Sequence, residues 1–99
     1  MYTIDKTSGF SDWLSALRDI RARARIVARI KSAEHGNFGD CEPVGEGVSE
    51  MRIHVGAGYR VYFTQREKVV YLLLCGGDKS TQKRDIARAK TMRKQLDEE

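Results

Sequence analysis

The chain has little of what marks several protein classes. It contains one proline and two cysteines in 99 residues. Cys41 and Cys75 are too few for a disulfide framework, and they fit a reduced compartment. The longest apolar run, Val69 to Cys75, falls far short of the roughly 20 residues that cross a bilayer. The opening Met1-Tyr2-Thr3-Ile4-Asp5-Lys6 has no apolar signal core, so a cytoplasmic protein is expected. No large excess of one charge sign is present either, since 18 Lys and Arg face 14 Asp and Glu, for a net +4. This length suits one small domain with a single core. A mixed-sign charged fraction of 32% and strong apolar periodicity argue against disorder.

Charge is distributed unevenly. Arg18, Arg21, Arg23, Arg25, Arg29 and Lys31 crowd one segment, and Lys79, Lys83, Arg84, Arg88, Lys90, Arg93 and Lys94 crowd another. Glu34, Asp40, Glu42, Glu46 and Glu50 lie between them. Basic blocks of this kind suit an anionic partner or one with acidic helices.

Tyr2 and Ile4 suggest a short first strand. Thr7 or Ser8 can cap a helix, and Asp19 can cap a second one ending at Gly36. Trp13, Leu17, Ile20, Ala24 and Val27 recur at helical spacing and read as one apolar stripe. The Gly36–Gly47 stretch is turn-rich and leaves room for a short edge strand near Cys41 to Val44. From Val48 the period becomes two. Met51, Ile53 and Val55 alternate with Glu50, Arg52 and His54; after Gly56-Ala57-Gly58, Tyr59, Val61 and Phe63 alternate with Arg60, Tyr62 and Thr64. Val69 to Cys75 reads as an interior strand covered on both faces. Ser80 then caps a last helix whose thin stripe is Ile86, Ala89, Met92 and Leu96. The expected fold is α+β, in the order β-α-α-β-β-β-α, with an antiparallel sheet and its helices on one side.

If Val55 pairs with Tyr59, His54 faces Arg60 and Arg52 faces Tyr62. Glu50, Arg52, His54, Arg60, Tyr62 and Thr64 then share one polar face. That face is either an ordinary wetted surface or a seat for a phosphate backbone and a stacked base. Gly76-Gly77-Asp78-Lys79-Ser80-Thr81 is either a capped turn or an anion seat at a helix start. It is no phosphate-binding loop, because Leu73 and Asp78 stand where that pattern needs glycine. His35, Cys41, His54 and Cys75 lack the spacing of a zinc site, so no metal or cofactor is expected. Cys75 reads as a core residue.

Two stretches are distinctive. One runs from Gly39-Asp40 through Pro43-Val44-Gly45-Glu46-Gly47-Val48-Ser49-Glu50-Met51-Arg52-Ile53 to Gly58-Tyr59-Arg60-Val61-Tyr62-Phe63. The other is Leu72-Leu73-Leu74-Cys75-Gly76-Gly77-Asp78-Lys79-Ser80-Thr81-Gln82, leading into Asp85-Ile86-Ala87-Arg88-Ala89. Together they resemble the RelE/ParE toxin superfamily, in its HigB-like branch of addiction-module killer proteins. The resemblance implies a ribosome-dependent, metal-free mRNA endoribonuclease held inactive by a cognate antitoxin, itself expected to be a helix-turn-helix DNA-binding protein. In that reaction the ribose 2′-OH attacks the adjacent phosphate, leaving a 2′,3′-cyclic phosphate and a 5′-OH. Arg60, Arg52 and Lys79 match basic positions of the family. His54 has no firm family counterpart, but an imidazole with its ordinary pKa near 6.5 suits a general acid or base. Arg60, Arg52, Lys79 and His54 are therefore the expected catalytic set, with Tyr62, Lys83 and Arg84 expected to bind RNA. The antitoxin is expected across the Arg-rich hairpin and the sheet face. After Lys79 the chain carries no aromatic or histidine, unlike the best-studied ribosome-dependent members. The ParE side of the superfamily shares the fold, poisons DNA gyrase and cuts no RNA. A gyrase-inhibiting toxin and a plain nucleic-acid-binding domain are thus the competing expectations.

Overall fold

A computed structural model describes residues 1–98. Thr7 begins the first helix by accepting a hydrogen bond from the Phe10 amide at 3.0 Å, a cap of the kind that contributes about 1 kcal/mol. Its hydroxyl also donates to the Leu74 carbonyl at 2.7 Å, which fastens the helix start to the sheet. This helix, α1, spans Ser8–Ala16, and β1 before it spans Thr3–Lys6. Asp19 accepts from the Ala22 amide at 3.0 Å and starts α2, Ile20–Glu34. The chain leaves α2 through Gly36, whose φ of 92° is open to glycine at little cost.

The strands that follow are β2 (Cys41–Gly45), β3 (Val48–Ile53), β4 (Tyr59–Glu67) and β5 (Val70–Gly77). A short 3₁₀ turn, Lys79–Thr81, leads into α3, Gln82–Asp97. The five strands lie in the order β1-β5-β4-β3-β2. β2 to β5 pair antiparallel, while β1 runs parallel to β5. The sheet is therefore mixed, with Pro43 in the edge strand where its missing donor costs least. No helix among the described residues is long and apolar enough to cross a membrane.

Helices cover both faces, against the expectation of one, and the sheet divides the expected single core in two. Phe10, Ile26, Ile30 and Ala33 pack with Met51, Ile53, Val61, Phe63 and Leu73 on one face. On the other, Ala89 of α3 joins Val48, Tyr62, Leu72, Leu74 and Cys75, with Ile86, Met92 and Leu96 at the margin. Alternation along β5 explains the division: Leu73 points to the first core, Leu72 and Leu74 to the second.

Three further expectations change. The hairpin pairs Ile53 with Tyr59 rather than Val55 with Tyr59, so Arg52 faces Arg60 and Glu50 faces Tyr62. The five residues from His54 to Gly58 form the connection, and His54 lies outside the ladder. Within α2 the buried residues are Ala22, Ile26, Ile30 and Ala33, while Ile20 is 72% and Val27 37% exposed. The non-helical Leu17–Asp19 link resets the helical phase, so a stripe drawn across both helices fails. Finally, Asp78, not Ser80, caps the turn before α3, accepting from the Ser80 amide at 2.8 Å.

Candidate functional site

The hairpin loop, the adjoining ends of β3 and β4 and the 3₁₀ turn border a depression of about 390 Å³. Arg52, His54, Gly58, Tyr59, Arg60 and Lys79 line it. Strand pairing supplies Arg52 and Arg60, the loop supplies His54, and the 3₁₀ turn supplies Lys79. The Lys79 amide donates to the Ala57 carbonyl at 3.4 Å, which ties that turn to the hairpin tip. All four residues expected to be catalytic thus border one concavity.

Their surroundings differ sharply. Arg52 donates to Asp40 Oδ1 at 3.0 Å and to Glu42 Oε1 at 2.6 Å, with Glu50 Oε1 4.0 Å away. Asp40 and then Glu42 hold its guanidinium even more firmly protonated than usual. Asp40 turns its second oxygen to His54, with Oδ2 2.5 Å from Nε2. The His54 hydrogen bond, followed by that of Arg52, keeps the Asp40 carboxyl below the ordinary range. An ionised Asp40 can only accept, so His54 donates to it through Nε2, and in the neutral ring Nδ1 is then the acceptor. The His54 side chain is 73% exposed, so that nitrogen is open to solvent or a ligand.

Arg60 sits deeper, with a side chain only 12% exposed. It donates through Nη1 to the Gly58 carbonyl at 2.8 Å, and its Nε lies 3.5 Å from Glu50 Oε2. Glu50 is buried, a position that alternation alone does not reveal. Its Oε2 accepts from Tyr62 Oη at 3.1 Å and from Gln82 Nε2 at 2.9 Å.

Tyr62 is fully buried, which corrects the expectation that its ring stacks on a base. The second core covers the ring, and burial, followed by the charge of Glu50, pushes its hydroxyl pKa upward. Tyr59 is the half-buried ring at the depression, packing edge-on to Trp13 at 6.3 Å. Lys83 and Arg84, also expected to bind RNA, line a separate groove on α3 with Ser80, Thr81 and Ala87. Arg84 keeps 77% side-chain exposure, with Nε 3.8 Å from Asp85 Oδ1.

The Gly76–Thr81 segment resolves as a capped turn. A side chain at Gly76 would collide with the Trp13 ring, and one at Gly77 with the buried Asp85 carboxylate. Both glycines therefore permit close packing. Asp78 fills the turn's amide end, and its carboxyl is lowered chiefly by the hydrogen bond from Ser80. Cys75 is buried in the second core and its thiol is pushed up to about 11, chiefly by burial.

Residues 12–97 match the model of a family described as phage derived protein Gp49-like (DUF891). The chain belongs to the Gp49-like family. That family is one of RelE-like toxins, whose members have an antitoxin partner. An uncharacterized protein of Haemophilus influenzae (strain ATCC 51907 / DSM 11121 / KW20 / Rd) is 50% identical over 93 residues, which is 94% of either chain. The Gp49-like match covers the second helix, strands β2 to β5 and α3, the elements that carry the depression and, apart from Phe10, the buried residues of both cores.

Proposed function

We propose that this Gp49-like protein is the toxin of a type II toxin–antitoxin pair and cuts mRNA on the ribosome. The observation that carries the reading is the meeting of Arg60, Lys79 and His54 around one depression. In the proposed reaction His54 Nδ1 accepts the 2′-OH proton. O2′ forms its bond to phosphorus as the P–O5′ bond breaks, the departing O5′ takes a proton from solvent water, and the products are a 2′,3′-cyclic phosphate and a 5′-OH. Arg60 and Lys79 stabilise the negative charge that gathers on the phosphorane. Tyr59 is the ring placed to stack on a neighbouring base. Arg52 binds Asp40 and Glu42, and so orders the His54 side of the depression rather than meeting phosphate directly. Lys83 and Arg84 extend the cationic surface toward incoming RNA. A cognate antitoxin, of helix-turn-helix type, keeps the toxin inactive.

Cleavage mapping on translated mRNA, run beside gyrase supercoiling in the same extract, tests the reading. Cuts that persist in excess chelator and leave a cyclic phosphate support it, as does resistance of a 2′-deoxy substrate at the cut site. Loss of supercoiling without mRNA cleavage would instead favour the gyrase-inhibiting alternative. Two observations speak for that alternative: Tyr62 is withdrawn into the core, and carboxylates occupy Arg52.

A further inference from the structure

Four titratable groups among the described residues are buried away from the proposed chemistry: Glu50, Tyr62, Asp85 and Cys75. Asp85 accepts from the Thr81 hydroxyl at 2.5 Å and joins that turn to α3. Cys75 has only a 3.8 Å contact from Sγ to the Asp85 carbonyl. Glu50 is different, because it touches the guanidinium side of the depression from behind.

We infer that Glu50 is the positioning residue for Arg60. The role rests on the proposed phosphate chemistry only in its kinetic consequence; the geometry stands by itself. A buried carboxylate is retained only where hydrogen bonds and opposite charge compensate its lost hydration. Glu50 has both: Tyr62 from β4 and Gln82 from α3 donate to Oε2, while Arg60 and Arg52 approach from the depression. Tyr62 and Gln82 thus hold the carboxylate against two elements, and it cannot follow a moving arginine. Arg60 is restrained at two points, Nη1 at the Gly58 carbonyl and Nε beside Glu50 Oε2. Neither contact uses Nη2, the end that would meet a ligand. Arg60 Nε is itself buried without a hydrogen bond, its 3.5 Å approach to Glu50 being electrostatic in character. Ligand binding can therefore draw the guanidinium into a closer bond with a carboxylate that is already in place. A fixed charge behind the reacting cation is what electrostatic preorganisation requires.

The two roles of Glu50 oppose each other, and that opposition gives the test. Its negative charge lowers the pull on RNA in the ground state, while its placement of Arg60 aids the transition state. Glu50→Gln is expected to lower kcat about 10- to 100-fold, as loss of orientation does, with KM unchanged or lower. In NMR spectra, the Arg60 Nε–H signal is expected to stand apart from the exposed arginines in the parent. It should rejoin them in Glu50→Gln. Tyr62→Phe keeps the charge and removes one of its tethers, so it should shift both readouts less and in the same direction. A folded Glu50→Gln protein with kcat within twofold of the parent, or with raised KM and unchanged kcat, overturns the inference. If Glu50→Gln does not fold, Tyr62→Phe decides, and parental values in both readouts overturn it. If the parent cuts no RNA, the functional reading fails, and the Arg60 signal still decides whether Glu50 positions it.

Discussion

Arg52 and Arg60 face each other across β3 and β4, yet their environments assign them different work. Arg52 is engaged by Asp40 and Glu42 at the surface, whereas Arg60 is backed by one buried carboxylate. Truncating Arg60 therefore does more than remove a surface charge. It leaves Glu50 buried with less compensation, a change that costs about 3 kcal/mol when a buried pair is broken. Arg60→Ala is expected to lose both toxicity and stability. Combining it with Glu50→Gln should return most of the stability and none of the toxicity, as urea titration and growth assays would read. Lys79→Ala is the cleaner probe, because the residue is exposed and makes no ion pair with a described residue. Its melting should stay within about 0.5 kcal/mol of the parent, while growth inhibition falls; unchanged toxicity would remove Lys79 from the site. At Asp40 the sign of the pH effect follows from its lowered pKa. Its pairing with His54 and Arg52 stabilises the fold above the unfolded carboxyl value, near 3.9. That contribution fades as pH falls through the lower folded value. Asp40→Asn should therefore flatten the melting-temperature profile below about pH 4, and parallel profiles would contradict the pairing.

At the scale of elements, helix limits were readable because capping chemistry is local. Thr7, Asp19 and Gly36 each mark a boundary through bonds to residues close in sequence. Helix orientation was not, because the Leu17–Asp19 link turns α2 and leaves Ile20 and Val27 outward. The polar alternation of β3 and β4 is legible in the sequence as well, but not what covers it. Glu50 and Tyr62 look like wetted residues until α3 lies over them, and α3 announces itself only by a thin stripe. Around the depression, Arg60 and His54 are legible from the hairpin's polar face and Lys79 from the turn after the last strand, whereas the Asp40 contact with His54 is not, since a turn-rich loop carries no periodicity to place it. Arg29 explains how that distant loop is held. It donates to the Arg52 carbonyl at 2.6 Å and to the Phe38 and Asp40 carbonyls at 3.0 and 3.3 Å. Gly39 allows this approach: its φ is +67°, and a Cβ there would lie 2.8 Å from Arg29 Nη2. Arg29→Ala should free the Asp40 loop, broadening or shifting the His54 ring resonances while α2 stays helical by circular dichroism. Unaltered His54 resonances would show that the loop holds without Arg29.

Across the whole molecule, one sheet separates two cores that meet the depression differently. The core under α1 and α2 supports the hairpin from behind, and the core under α3 encloses the Glu50–Tyr62–Gln82 network. Leu73 and Leu74 are neighbours on β5, 3% and 1% exposed, and they point into different cores. Each Leu→Ala change should cost about 2–5 kcal/mol, from lost transfer energy and the cavity left behind. Both variants should unfold in one transition, because the strands of a shared sheet do not melt apart in a domain of this size. Their effects on the site should differ. Leu73→Ala removes volume beneath Phe10 and Ile26, away from Glu50, so folded protein at low temperature should keep its Arg60 Nε–H signal and its toxicity. Leu74→Ala loosens the seat of α3, and with it the hold of Gln82 on Glu50. At equal folded fraction it should shift that signal and weaken growth inhibition further than Leu73→Ala does. Equal loss in the two variants would mean that the α3 core carries no special link to the depression.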